Sequence, residues 1–173
     1  MPIYYKHAQD GSKIVVLSYV DDCVYWYTNE YFGKWFVDTL GKRFHVKFLG
    51  FSHWFMSITI SKLKDHSIYV DQARYATSIV AKYLDTDTVK VSSKFYKTTL
   101  PADMIFTKYD VSTSDEKVEK LTREYNIHYK DCIGSLIYLL STRVDLIFTV
   151  QKLAKFSANP GMVHFEGLIH LLR

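Results

Sequence analysis

Several things are scarce in this sequence. Only two of its 173 residues are cysteine, Cys23 and Cys132. That excludes a disulfide framework and makes a reducing compartment the simplest expectation. No run of 18 apolar residues occurs, so neither a transmembrane helix nor a membrane partner is expected. The start, Met1-Pro2-Ile3-Tyr4-Tyr5-Lys6, lacks the long apolar stretch of a signal peptide. There is no internal repeat and no low-complexity tract. His128 and Cys132 have i, i+4 spacing, but no second Cys/His pair lies nearby, so a structural zinc site is not expected. Charge of one sign is also in short supply. The 22 Lys and Arg exceed the 18 Asp and Glu by four, a mild excess that does not by itself point to nucleic acid. Together these absences describe an intracellular soluble protein, cytoplasmic or nuclear.

What is present is a globular composition, 48% apolar and 23% charged, which argues against wholesale disorder. The length suits one domain or one large fragment, able to bury roughly two thirds of its unfolded surface. Aromatics reach 16%, with 14 Tyr and 11 Phe. These suit nucleotide stacking, but equally suit an apolar core.

Along the chain, Asp10-Gly11 is a turn signal before the β-branched run Ile14–Val20. A second strand-like run, Cys23–Tyr27, follows Asp21-Asp22, so a β-hairpin with the carboxylates at its tip is expected. Both runs are nearly all apolar, which predicts strands covered on both faces. Thr28 or Asn29 can cap a helix carrying Tyr31, Trp35, Phe36 and Leu40, with Gly41 as its stop. Phe44 to Leu49 reads as extended chain ending at Gly50. Trp54 to Ile60 reads as a strand, turned at Asp65-His66-Ser67 into Ile68-Tyr69-Val70. Helices are predicted over 71–84, 115–125, 127–140, 144–156 and from Met162 onward, the last without a stop signal, which suggests truncation. Residues 85–115 read as a long irregular connection.

A carboxylate pair on a tight hairpin is a hard-oxygen site suited to Mg²⁺, with Mn²⁺ as a substitute. Like charges repel, so ion binding would relieve strain, and the strands would hold the carboxylates rigidly. Asp-Asp alone means little, because turns favour Asp without any function. The context is more telling. Ser18-Tyr19-Val20-Asp21-Asp22 between two apolar strands, followed by a helix, resembles a polymerase palm signature. The stretch Leu40-Gly41-Lys42-Arg43-Phe44 with Val46-Lys47-Phe48-Leu49-Gly50 resembles a Leu-x-x-x-Phe pattern followed by Met-Lys-Asp-Leu-Gly. Trp54–Ile60 is similar to Tyr-Phe-Leu-Gly-Ile-Glu-Ile, and Tyr69–Tyr75 to Leu-Ser-Gln-x-Lys-Tyr. Ile133–Leu139 is similar to Ile-Gly-Ser-Leu-Met-Tyr-Leu, Thr142–Asp145 to Thr-Arg-Pro-Asp, and Pro160 with His164 to Pro-x-x-x-His. In this order and spacing the segments resemble the reverse transcriptases of copia-type retrotransposons, from about Lys13 to the end. The departures are Phe48 for Asp, Ser57 for Gly and Val144 for Pro, as in a drifting copy.

The resemblance implies an α+β fold: a partial palm sheet over 1–84, an irregular connection over 85–115, and a helical thumb and start of the connection domain over 116–173. It implies RNA-directed DNA synthesis, in which two metal ions serve nucleotidyl transfer. Asp21 and Asp22 would hold the metal, and Tyr19 and Val20 would lie at the primer terminus or incoming nucleotide. Trp54, Phe55, Met56 and Ser57 would position the primer, although a plain strand would also use such residues. Lys42, Arg43 and Lys47 would meet backbone phosphates, although a solvated face is the commoner use of such residues. An RNA or DNA primer–template is the implied partner. The family's third metal carboxylate and its fingers lie upstream, so the isolated chain is expected to be inactive unless a complementary N-terminal piece completes it. The alternative is a non-catalytic nucleic-acid-binding or interaction module derived from a retroelement.

Overall fold

The computed structural model describes residues 2–65, 67–84 and 98–173. His66 and the first part of the connection expected over 85–115 lie outside them. The fold is mixed α and β. Among the described residues, six α-helices accompany two small antiparallel three-stranded sheets, ordered β1-β2-β3 and β4-β5-β6. Two compact units divide at Met56 and Ser57.

The first unit is built on β1 (Ile3–His7), β2 (Lys13–Tyr19) and β3 (Asp22–Tyr27). The β1–β2 turn is set locally: Gly11 supplies a φ of 81°, and the Asp10 carboxylate accepts from the Ser12 amide and hydroxyl. In the ladder, Ile14 pairs with Tyr27 and Val16 with Tyr25. Directly opposed residues share a face. That face is covered by α1 (Glu30–Gly41), whose Asn29 cap accepts from the Tyr31 amide at 2.9 Å. Ile14, Val16 and Phe32 form its core, with Tyr25, Trp35 and Phe36 packed around them. The Tyr25 and Phe36 rings lie 4.9 Å apart, and Lys6 Nζ sits 4.0 Å above the Trp35 ring.

The opposite face corrects an expectation. It carries Ile3, Tyr5, Val15, Leu17 and Trp26, of which Ile3, Tyr5 and Trp26 are exposed. A single helix packs on this sheet in the first unit, so one face is covered and the other, Val24 apart, is only partly so. Residues 45–49 after α1 form neither helix nor strand. The expected strand Trp54–Ile60 is interrupted: β4 (Trp54–Phe55) ends in a turn at Met56-Ser57.

The second unit holds β5 (Ile58–Lys62), β6 (Ile68–Asp71), α2 (Ala73–Tyr83), α3 (Asp115–Tyr125), α4 (Tyr129–Leu139), α5 (Ile147–Ala154) and α6 (Met162–Leu172). A 3-10 turn over Val144–Leu146 leads into α5. The helices enclose the larger core. Fifteen buried residues cluster there, among them Ile127, Cys132, Val150, Leu153, Phe165 and Leu168. α2 contributes Ile79 and Tyr83, so it packs with the C-terminal helices. The irregular segment ahead of α3 is pinned to the break before α6: the Ser112 hydroxyl donates to the Pro160 carbonyl at 2.7 Å. No helix among the described residues is long and apolar enough to cross a membrane.

Candidate functional site

The β2–β3 hairpin closes with the pair Tyr19–Asp22, leaving Val20-Asp21 as a two-residue turn. Tyr19 and Asp22 are thus brought side by side on the face that α1 leaves open. Asp21 and Asp22 are both exposed, and Val20 is 83% exposed. Val20 has a φ of 51°. Positive φ at the first central residue of a two-residue hairpin is the type II′ pattern, where glycine is favoured. A β-branched side chain there is a genuine outlier.

The second predicted element shows the same feature. Met56 and Ser57 have φ values of 50° and 59°. Two positive φ values in succession mark a type I′ turn, which favours Asn-Gly. Trp54 is exposed beside it, whereas Phe55, Met56 and Ser57 are half-buried. Among the described residues the remaining non-glycine position with positive φ is Asn126, which ends α3 in the left-handed form that Asn tolerates well. The three demanding positions therefore fall within the two segments to which site residues were assigned from sequence, although the Met56-Ser57 turn itself was not expected.

Lys42 is the C-cap of α1, and Lys42, Arg43 and Lys47 all lie in the exposed stretch 41–51. The ion pairs among the described residues are Arg123–Glu119 at 3.6 Å and Arg143–Asp145 at 2.7 Å. Among the described residues, no carboxylate forms an ion pair with these three cations. Sequence reasoning assigned no role to the aromatics beside them. Phe44, Phe48 and Phe51 are 61%, 41% and 48% exposed. The available signal was the company they keep, since no Asp or Glu occurs from residue 39 to residue 64.

Among the described residues, no group of three His, Cys, Asp or Glu is placed to hold a metal ion. Asp21 and Asp22 fit Mg²⁺ in donor chemistry, being hard anionic oxygens on a rigid turn. They fall short of a full protein ligand set in number. Cys132 is fully buried in the helical core, where burial pushes its thiol up to about 12, the state of an inert structural cysteine.

Comparison with known proteins adds a lineage. The chain is similar to the retrovirus-related Pol polyprotein from transposon TNT 1-94 of Nicotiana tabacum. They are 24% identical over 173 residues, which is 99% of this chain and 12% of that protein. It is also similar to the retrovirus-related Pol polyproteins from transposons RE2 and RE1 of Arabidopsis thaliana, 26% identical over 166 residues in each case. Those matches cover 95% of this chain and 10% of each relative. The chain thus spans about a tenth of the length of these curated relatives. No family model matches it, and no solved structure does. The similarity supports a retroelement-derived protein.

Several residues of the copia-like pattern turn out to hold the helical unit together. Thr142 Oγ1 donates to Gln72 Oε1 at 2.7 Å, joining the start of α2 to the loop after α4. The Tyr75 hydroxyl donates to the Ser135 carbonyl at 3.3 Å. Arg143 grips Asp145 through two hydrogen bonds of 2.9 and 2.7 Å, which holds the Asp145 carboxyl below its usual range.

Proposed function

We propose that this chain is the portion of a copia-type reverse transcriptase that carries the metal-binding carboxylate hairpin, and that it is catalytically silent alone. In this reading Asp21 and Asp22 are two of the ligands for Mg²⁺, or for Mn²⁺ in its place. Tyr19 and Val20 border the primer terminus, Trp54–Ser57 position the primer, and Lys42, Arg43 and Lys47 meet phosphates of an RNA or DNA primer–template. A palm-and-fingers segment is the partner that would complete the site, in the cytoplasm or nucleus.

The observation that carries the reading is the backbone outlier at Val20, with both carboxylates exposed beside it. Left-handed backbone costs an ordinary residue about 1–2 kcal/mol, and such cost clusters where a fold holds a functional shape. A metal ion bound there would supply charge neutralisation for a transferring phosphoryl group. What this chain's own residues supply is placement. The paired strands fix Asp22 beside Tyr19, and the open sheet face leaves both accessible to a polymer.

Primer extension on an RNA template with Mg²⁺ or Mn²⁺ tests the proposal, using the pure chain and the Asp21→Asn/Asp22→Asn double variant. The parent, shown to be folded, incorporates no nucleotide alone and gains activity when a copia-type N-terminal palm-and-fingers fragment is added; the double variant does not. Incorporation by the parent alone would overturn the inactive-fragment reading. Failure of the supplemented parent would remove the polymerase assignment. The second reading, a binding module without catalysis, is favoured by the two-carboxylate donor set, and predicts salt-sensitive nucleic-acid binding that needs no metal.

A further inference from the structure

We infer that the segment from Lys42 to Phe51 is a platform for single-stranded nucleic acid, in which Phe44, Phe48 and Phe51 stack on bases and Lys42, Arg43 and Lys47 follow the backbone. This deepens the nucleic-acid reading above and rests on it. Residues 39–64 contain five Lys or Arg and no Asp or Glu, leaving 17 cations against 18 anions in the rest of the chain. The whole positive excess of the protein is therefore concentrated there. Within that stretch, three phenylalanines are between 41% and 61% exposed on chain that forms no strand and, past Gly41, no helix. Single exposed apolar side chains are ordinary, but three Phe among three cations within ten residues is a local concentration. A protein partner with an apolar face would leave three unpaired cations at the contact. A single strand satisfies both features, because its phosphates pair with the cations and its unstacked bases offer π faces. A duplex satisfies only the first, since its bases are already stacked on each other.

The test uses the full chain in EDTA with labelled oligo-dT and oligo-rU of about 12 nucleotides, and a duplex of the same length, read by fluorescence anisotropy over a salt series. Single strands bind at least about tenfold tighter than the duplex. Phe44→Ala, Phe48→Ala and Phe51→Ala each weaken single-strand binding by about tenfold. Phe44→Leu, which keeps an apolar side chain without the ring, does not restore it. Replacing Lys42, Arg43 and Lys47 by Gln flattens the log–log salt dependence by about two units. Circular dichroism and the urea midpoint confirm that each variant is folded. Equal affinity for the duplex, or unchanged binding by folded Phe variants, would overturn the platform. Self-association of the chain that the Phe variants abolish, without oligonucleotide binding, would replace the strand with a second copy. Failure of the platform and failure of the polymerase assignment are thus read in separate assays.

Discussion

Ser57 occupies a backbone position that suits glycine better than serine. The copia-type pattern that the sequence resembles has glycine at this position, where the backbone favours it. The residue sits at a φ of 59°, second in a turn whose first residue, Met56, is also left-handed. Glycine adopts that region freely, whereas a Cβ strains it. Ser57→Gly is therefore expected to stabilise the protein by about 1 kcal/mol, seen as a higher urea midpoint with an unchanged slope. Ser57→Val should lower the midpoint, because β-branched residues tolerate positive φ least. An unchanged midpoint in both variants would mean that the turn relaxes to another form. The other family-like residues, Gln72, Tyr75 and Thr142, make contacts inside the helical unit. Their presence in the pattern reflects packing as much as chemistry.

Elements were legible from sequence wherever periodicity ran long enough. The expected helix over 115–125 coincides with α3, and the others fall within a few residues of the structure. A hairpin between the two apolar runs was legible from turn chemistry, but its tip is Val20-Asp21 rather than Asp21-Asp22, because Asp22 pairs with Tyr19 as the first residue of β3. Three features did not show. β1 was missed because a five-residue strand, exposed throughout, carries no alternation to read. The Met56-Ser57 turn was missed because its usual Asn-Gly signal is absent. Coverage of the sheet was overestimated because apolar strands do not say how many helices will pack on them. The start of α6 is a case where the structure explains the motif. His164 is fully buried and its Nδ1 accepts from the Gly161 amide at 2.9 Å. Its ring stacks on Phe156 at 4.0 Å, and Nε2 has no hydrogen-bond partner among the described residues. Gly161 is required sterically, since a Cβ there would overlap the Asp110 carbonyl oxygen. Burial holds the His164 imidazole below its usual pKa, with nearby Asp110 opposing the shift in part. The unfolded chain therefore takes up a proton near pH 6.5 that the folded chain refuses. This contribution to stability is fully present above that pH. It is lost progressively as pH falls toward the depressed folded value, by up to about 1.4 kcal/mol per pH unit. Melting temperatures from pH 7.5 to 5 should show the decline, and His164→Gln, which keeps an acceptor but does not titrate, should lessen it. Equal slopes for the two proteins would remove His164 as the cause.

At the scale of the whole molecule, burial is divided very unequally. The second unit clusters fifteen buried residues and the first clusters three. Local opening free energy follows the apolar surface that opening exposes and the protection of backbone hydrogen bonds. A sheet with one partly open face, carrying exposed Ile3, Tyr5 and Trp26, has little to lose on opening. The α4, α5 and α6 amides lie over Val150, Leu153, Phe165 and Leu168, each with no exposed surface, and should open only on global unfolding. Hydrogen exchange read by mass spectrometry should therefore protect 129–139, 147–154 and 162–172 by orders of magnitude more than 3–7 and 22–27. Urea unfolding followed by the first unit's Trp26 and Trp35 should precede loss of the helical signal, so that two-state fits fail. Uniform protection and a single coincident transition would instead require stabilisation of the first unit from beyond its own three-residue core. A bound single strand or the proposed palm-and-fingers partner would act in the same direction, stabilising the first unit by mass action. Selective slowing of exchange in residues 3–27 on addition of either one would mark the sheet as the part of the molecule that waits for a partner.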